Sequence, residues 1–579
     1  MPNYGRSGRC LTCKRRRVKC DEARPACSPC RRLGLDCGGY TKDYAFRDES
    51  HRFASAATLK TLKEQGALVH RSAAAGEPSR SLLTGADVAV PFFLVHYAGM
   101  GRSLAVARGF YETLIPMYTS QPHDSPLSLA VSAVAARVFS LWRHEDAAQV
   151  EPHLAPYTQA VASLRSALER PEDRRRPATT LAVLALHLYE SISAVYDARQ
   201  ATPVHHHGAL SLLPIAALDS LDGLISTYVK GFVLHTEISS ALRQKRSMHP
   251  NVYSYVNSPH TSSLVPGNFS STLDSIGASV AELQADYVRG LSRRHASGPL
   301  LEQQCRAWIT EAGQIDELLR AWARDVPDHW RPLRLTSGQD FSPSITAYRS
   351  ACDIYPSCQI ATLWNLWRFH RLLLLKITVG ATQRISTLPR DESAGDERLV
   401  PTTMESAIQA GSIQELVDSI CHSVPFYLGN RTKQSSLSDF TDPEILFPSY
   451  HLLTPGDARI AARHQDCDDA ALSGDEQHRH IVAYGAWHIV SPLSNLLTLV
   501  SDDHGGRLVA SCLRLGQQEW IREQFLRVST LVRLPAAGPF GGEKGRSPPL
   551  LPVDPKSADS AAESLAKQVR KGAIFMSGP

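Results

Sequence analysis

The sequence predicts a small metal-held head followed by a large all-α region, and three observations carry that reading. Six cysteines, Cys10, Cys13, Cys20, Cys27, Cys30 and Cys37, crowd the first 37 of 579 residues. From about Pro91 to Pro535, apolar residues recur at helical period. Alternation of apolar with polar residues, the mark of a half-buried strand, is scarce, so little sheet is expected.

The head comes first. Its cysteines read C-x(2)-C-x(6)-C-x(6)-C-x(2)-C-x(6)-C, and the second three repeat the first three at a constant offset of 17 residues. Thiolates two apart, with a third one short turn later, are metal ligands rather than a disulfide framework. A structural zinc takes four ligands. One four-cysteine site would strand two thiols, and two separate sites would need eight. Two zincs fit six cysteines if two of them bridge both metals, and the internal repeat makes the bridging pair repeat mates. Basic residues fill the gaps, as in KRRRVK between Cys13 and Cys20. A metal-held knuckle covered in Arg and Lys is built to touch phosphate.

The segment CLTCKRRRVKCDEARPACSPCRRLGLDC, from Cys10 to Cys37, closely resembles the fungal binuclear zinc-cluster transcription factors. All six spacings fit, as do the basic run, Asp21 after the third cysteine and Pro25 two before the fourth. The resemblance implies that Cys10 and Cys27 bridge. One zinc would take Cys10, Cys13, Cys20 and Cys27, and the other Cys10, Cys27, Cys30 and Cys37. It also implies that the residues three and four after the second cysteine, Arg16 and Arg17, read a CGG-type triplet. Arginine's planar fork matches guanine O6 and N7 in the major groove. The family often has Lys where this chain has Arg17, which loosens the expected base preference. Lys14, Arg15 and Lys19 would meet phosphate, which positions without specifying. The basic run doubles as a nuclear import signal.

Charge agrees with a local nucleic-acid surface. Residues 1–37 hold ten Lys or Arg and three acids, a net of +7 against +5 for the whole chain, so the other 542 residues carry −2. No apolar leader opens the chain, and the longest apolar run, Pro177 to Tyr189, stops at Glu190, short of a membrane span of ~18 residues. The other six cysteines, Cys305, Cys352, Cys358, Cys421, Cys467 and Cys512, are scattered and read as isolated thiols.

The expected organisation is a zinc head over 1–40, a linker over 41–90, a helical regulatory domain over 91–535 and a flexible tail over 536–579. The linker shows only heptad fragments, such as Leu59, Leu62 and Val69. In the helical region Leu363, Leu366, Trp367, His370, Leu374 and Ile377 share one face, while Asn365, Arg368, Arg371 and Lys376 are expected to point away. A second face runs Ile521, Phe525, Val528 and Val532, with Glu519, Arg522, Glu523 and Arg533 off it. Alanine-rich stretches at 126–143, 154–169 and 180–197 also read as helix, and the tail adds one weak helix after Pro555. Breaks at 246–272, 379–403 and 429–476 are expected to be mobile surface loops. Six pieces in this region resemble the fungal-specific regulatory domain that follows such clusters: GYTKDYAFRDES, LAVLALHLYE, HHGALSLL, ATLWNLWRFHRL, YGAWHIVSPL and GQQEWIREQFLRV.

Other motifs weigh less. His205, His206 and His207 look like a metal tract, but a helix-entry or packing role is favoured, as it is for His370 in a core. His464, Cys467, Asp468, Asp469, His478 and His480 lack tight ligand pairing. SDFTDPEILF at 438–447 reads as an inter-helix loop before an activation segment. The sequons at Asn268 and Asn430 are expected to go unused. There is no H-E-x-x-H, GxGxxG, P-loop or G-x-S-x-G, and a thiolate-closed zinc leaves no position for water activation, so no enzyme is predicted.

The chain therefore reads as a DNA-binding transcription factor that controls one metabolic or biosynthetic pathway from the nucleus. Its cofactor is two zinc ions per chain. Its partners are double-stranded DNA, a second copy of itself and the transcription machinery or coregulators, with no membrane. The competing reading is a zinc-binding scaffold or corepressor that works through protein contacts without touching DNA.

Overall fold

A computed structural model describes residues 10–21, 23, 26–38, 85–99, 109–143, 154–197, 202–215, 223–256, 268–292, 298–388, 403–461, 473–502, 505–535 and 555–572. The heptad fragments of the linker, GYTKDYAFRDES and His464 to Asp469 lie outside them. The chain divides into two compact units, Met1–Leu82 and Leu83–Pro579.

In the larger unit, helices form where the apolar period is 3.6. In Pro126–Arg143, Val131, Val134, Ala135, Val138, Phe139 and Trp142 all face inward. That stripe packs against Pro177–Tyr196, Leu154–Glu169 and Gly85–Phe93. A second group gathers around Cys358–Thr387, which meets Phe269–Ser292, Gly298–Asp325, Thr403–Leu428 and Gly474–Val500. Gly474–Val500 opens on a capping box, with Ser473 accepting from the Glu476 amide and Glu476 from the Ser473 amide. It also carries Gln517–Leu531 and Pro555–Gly572 on its flanks. Gly485 lets it pass close to its neighbour, since a Cβ there would lie 2.4 Å from the Tyr427 carbonyl oxygen. The expected face of Ile521, Phe525, Val528 and Val532 is buried.

Several expectations change. Pro177–Tyr196 bears out the helix expected over 180–197, but at 20 residues it is long and apolar enough to cross a membrane even with Glu190 in it, with mean hydropathy 1.4. Here it is a core helix, and Glu190 is kept in it by Tyr157 Oη at 2.8 Å, Thr202 Oγ1 at 2.8 Å and His205 Nδ1 at 3.0 Å. Asn365, Arg368 and Lys376 are buried rather than turned to solvent, because Cys358–Thr387 is enclosed on more than one side. Arg368 Nη1 donates to Tyr355 Oη at 2.9 Å and to Asn365 Oδ1 at 2.8 Å, and Lys376 pairs with Asp502.

The three expected loops hold structure. Pro250–Val256 is a helix inside the first, and Cys358–Thr387 extends into the second. In the third, Arg431 is buried and donates to Ser435 Oγ at 2.6 Å and Asp439 Oδ2 at 3.0 Å. Asn430 is used locally, its Nδ2 donating to the Glu444 carbonyl at 2.7 Å. Asn268 caps the next helix, accepting from the Ser271 amide at 2.9 Å. Among the described residues the sheet is one antiparallel pair, Leu333–Thr336 with Ala351–Ile354, in register Leu333↔Ile354 and Leu335↔Cys352. Cys352, Asp353 and Ile354 are buried in succession, so alternation was not visible there.

The tail differs from the expectation of flexibility. Pro555–Gly572 is a helix that buries Ala562, Leu565, Ala566 and Val569 against the larger unit. Its Arg570 Nη1 donates to Thr498 Oγ1 at 2.7 Å.

Candidate metal centre and nucleic-acid interface

The two cysteine repeats fold alike. Leu11–Arg16 starts directly after Cys10 and Ser28–Arg32 directly after Cys27. The Cys13 amide donates to Cys10 Sγ at 3.3 Å, so the thiolate caps the helix it precedes. Asp21 ties the repeats together, its carboxylate oxygens accepting from the Ser28 amide at 3.1 and 3.2 Å. Hydrogen bonding from Ser28 holds that carboxyl below its usual range. Thr12 does the same at the other end, donating to the Asp36 carbonyl at 2.9 Å and accepting from the Gly38 amide at 3.0 Å.

The sulfurs converge. Cys10 Sγ lies 3.6 Å from Cys27 Sγ and 3.8 Å from Cys30 Sγ, and Cys13 Sγ lies 3.6 and 3.9 Å from the same two. Two groups of four emerge, each with its sulfurs within 4.8 Å of one another: Cys10, Cys13, Cys20 and Cys27, and Cys10, Cys27, Cys30 and Cys37. Cys10 and Cys27 belong to both. A tetrahedron of thiolates at ~2.3 Å from zinc has edges of about 3.8 Å, so these spacings fit zinc and not disulfides. Burial pushes the Cys13 thiol up to about 12 and the Cys27 thiol higher still. Thiols so placed lose their protons to a bound cation, which links metal binding to folding. The six cysteines bind two zinc ions, and ligation of each by one group of four would leave no open position.

All five cations singled out above, Lys14, Arg15, Arg16, Arg17 and Lys19, are exposed. Lys14, Arg15 and Arg16 lie in the helix, and Arg17 closes it in the left-handed region at φ 56. The Val18 amide then returns to the Cys13 carbonyl at 3.2 Å, which turns the chain toward Cys20. Sequence reasoning missed that turn, because nothing but the fold makes an arginine adopt positive φ. It also did not single out Arg31 and Arg32, exposed in the last turn of the second helix, although the repeat places them as mates of Lys14 and Arg15 in basic character.

The histidine tract takes part in packing. His206 Nε2 lies 2.7 Å from Glu237 Oε2, and His205 pairs with Glu190. His370 is buried against Gly277. His478 packs edge-on to Phe447, with ring centroids 5.3 Å apart.

Residues 9–44 match the family described as the fungal Zn(2)-Cys(6) binuclear cluster domain. The chain is similar to "Transcription factor dbaG" of Emericella nidulans, 24% identical over 370 residues, 62% of this chain and 79% of that protein. "Aspercryptin biosynthesis cluster-specific transcription regulator atnN" of Emericella nidulans is 59% identical over 32 residues, 6% of this chain and 5% of its own. "Sterol uptake control protein 2" of Candida albicans is 69% identical over 29 residues, 5% of this chain and 4% of its own, so these two likenesses cover a short segment alone. No solved structure matches the chain. With its six cysteines gathered into two overlapping sets of four ahead of a largely helical remainder, the chain carries a fungal Zn(2)-Cys(6) binuclear cluster domain and is similar to fungal transcription factors.

Proposed function

We propose that this protein is a sequence-specific regulator of RNA polymerase II transcription whose zinc head reads CGG-type, GC-rich elements. One observation carries the reading: four exposed cations stand on a single helix and its cap, with a fifth, Lys19, just beyond, on backbone held by metal ligands on both sides. In this reading Arg16 and Arg17 contact guanine edges, and Lys14, Arg15 and Lys19 hold phosphates. The helical unit regulates, through coregulators or a second copy of the chain. Its net charge, near neutral once the head is set aside, supports a role away from DNA. The protein works in the nucleus and catalyses no reaction.

The target is one metabolic or secondary-metabolite pathway. The support is the relative described as biosynthesis cluster-specific. The division of labour follows the two compact units: 1–82 folds and binds DNA alone, and 83–579 folds separately.

The test is a fluorescence-anisotropy titration of zinc-loaded protein against a duplex with CGG triplets and one of scrambled sequence. Tighter binding to the first by ~10³-fold or more is expected for specific recognition. Equal binding to both would overturn the reading, and genome-wide mapping of bound sites then names the pathway.

A further inference from the structure

The helical unit contains a cavity that no step of DNA recognition uses. About 860 Å³ of space, its open mouth included, separates walls that run from Phe93 to Arg533. The walls are aromatic, with Tyr97, Tyr111, Trp142, Tyr196, Tyr484 and Trp487 among them. Among the described residues no Asp or Glu lines it, and Arg533 is the one Arg or Lys that does. The aromatic frame is preset by its own hydrogen bonds. Trp142 Nε1 donates to Tyr97 Oη at 2.8 Å, Tyr196 Oη to the Val532 carbonyl, and Tyr484 Oη to the Tyr97 carbonyl.

Two departures from regular helix face this space. Tyr97 is supplied by a π-helical turn, Leu94–Ala98, and such turns recur at functional sites. Arg533 follows the cap of Gln517–Leu531 in the left-handed region, at φ 57, and the Leu534 amide closes the helix on the Ser529 carbonyl at 2.8 Å. Glycine is the usual residue at that position. The backbone therefore does not ask for an arginine, and Arg533 is among the residues that line the cavity. The Arg137 guanidinium lies 5.5 Å from the centroid of the Tyr196 ring and pairs with Asp197 Oδ1 at 3.6 Å.

We propose that this cavity binds a flat aromatic small molecule bearing a carboxylate or phenolate, its rings among the tyrosines and tryptophans and its anion on Arg533. A concave wall that is mostly aromatic with few polar groups is the ordinary lining of a small-molecule site. The inference does not depend on the DNA-binding reading.

The experiment uses full-length zinc-loaded protein and calorimetric titration with 2-naphthoate and its neutral analogue 2-naphthalenemethanol. Naphthoate is expected to bind more tightly, by about tenfold, through the charge-assisted contact. Arg533→Gly suits the positive φ, so it should fold, lose that preference and keep the neutral compound. Leu141→Trp, a half-buried wall position, should block both. Circular dichroism checks that each variant is folded. Absence of binding by either compound, or unchanged binding of both by a folded Leu141→Trp, overturns the site. Equal naphthoate affinity in wild type and Arg533→Gly overturns the assignment to an anionic ligand.

Discussion

Cys10 and Cys27 hold their sulfurs 3.6 Å apart, and each belongs to both groups of four that can surround a metal. Every other cysteine of the head serves one group. Cys10→Ser and Cys27→Ser should therefore each remove a ligand from both zincs. Zinc analysis of wild-type protein should find two ions per chain, and either serine variant should lose both together with the fold of residues 1–40. Retention of one zinc by Cys10→Ser would mean that the sulfur does not bridge.

The basic helix predicts two kinds of loss. Arg17→Gly keeps the left-handed cap that the helix needs while removing the guanidinium. It should cost ~1–3 kcal/mol at the specific duplex and relax preference at one guanine. Lys14→Ala should weaken all duplexes alike and lower the salt slope by about one. Anisotropy titrations at several salt concentrations separate the two, and an unchanged specific-to-random ratio for Arg17→Gly would count against base contact.

Glu237 predicts a pH dependence in the helical unit. Burial raises its pKa, but hydrogen bonds from His206 at 2.7 Å and Arg246 at 2.6 Å outweigh it and hold the carboxyl at about 2. A carboxyl depressed from ~4.3 in the unfolded chain stabilises the fold above that value and loses the effect as pH falls toward 2. The contribution at neutral pH is about 3 kcal/mol. Glu237→Gln should be less stable at pH 7, and its deficit in urea denaturation should shrink by about half by pH 3. A constant deficit across that range would show that Glu237 does not titrate as described.

The helix Pro555–Gly572 predicts that the tail supports the body. Leu565 is buried at its centre. Leu565→Ala should cost ~2–5 kcal/mol. Removing residues 555–579 should lower the melting temperature further, since it uncovers the apolar flank of Gly474–Val500. A melting temperature unchanged by truncation would show that the helix does not dock in solution.

Which parts were legible follows from the range of the forces involved. The zinc head was readable because metal ligands are few, chemically distinct and close in sequence; Cys10 to Cys37 state their own partners. Helices such as Pro126–Arg143 and Gln517–Leu531 were readable because one apolar stripe at period 3.6 suffices to specify them. Arg368 and Lys376 were misjudged because a polar side chain enters a core only when residues elsewhere in the fold supply its partners, here Tyr355 and Asp502. The same holds for Arg431 in what read as an open loop.

By itself the sequence pointed to the two-zinc cluster, to a bridging pair of repeat mates, to the basic face beside it and to the helical character of the rest. These rest on local spacing, and local spacing is written in the chain. The tertiary structure alone decided that Pro177–Tyr196 lies in the core, that the tail helix docks, that Arg17 turns left-handed and that Arg533 meets aromatic residues up to 440 positions away across one cavity. Such relations come from packing between segments remote in sequence, and no period or spacing along the chain encodes them.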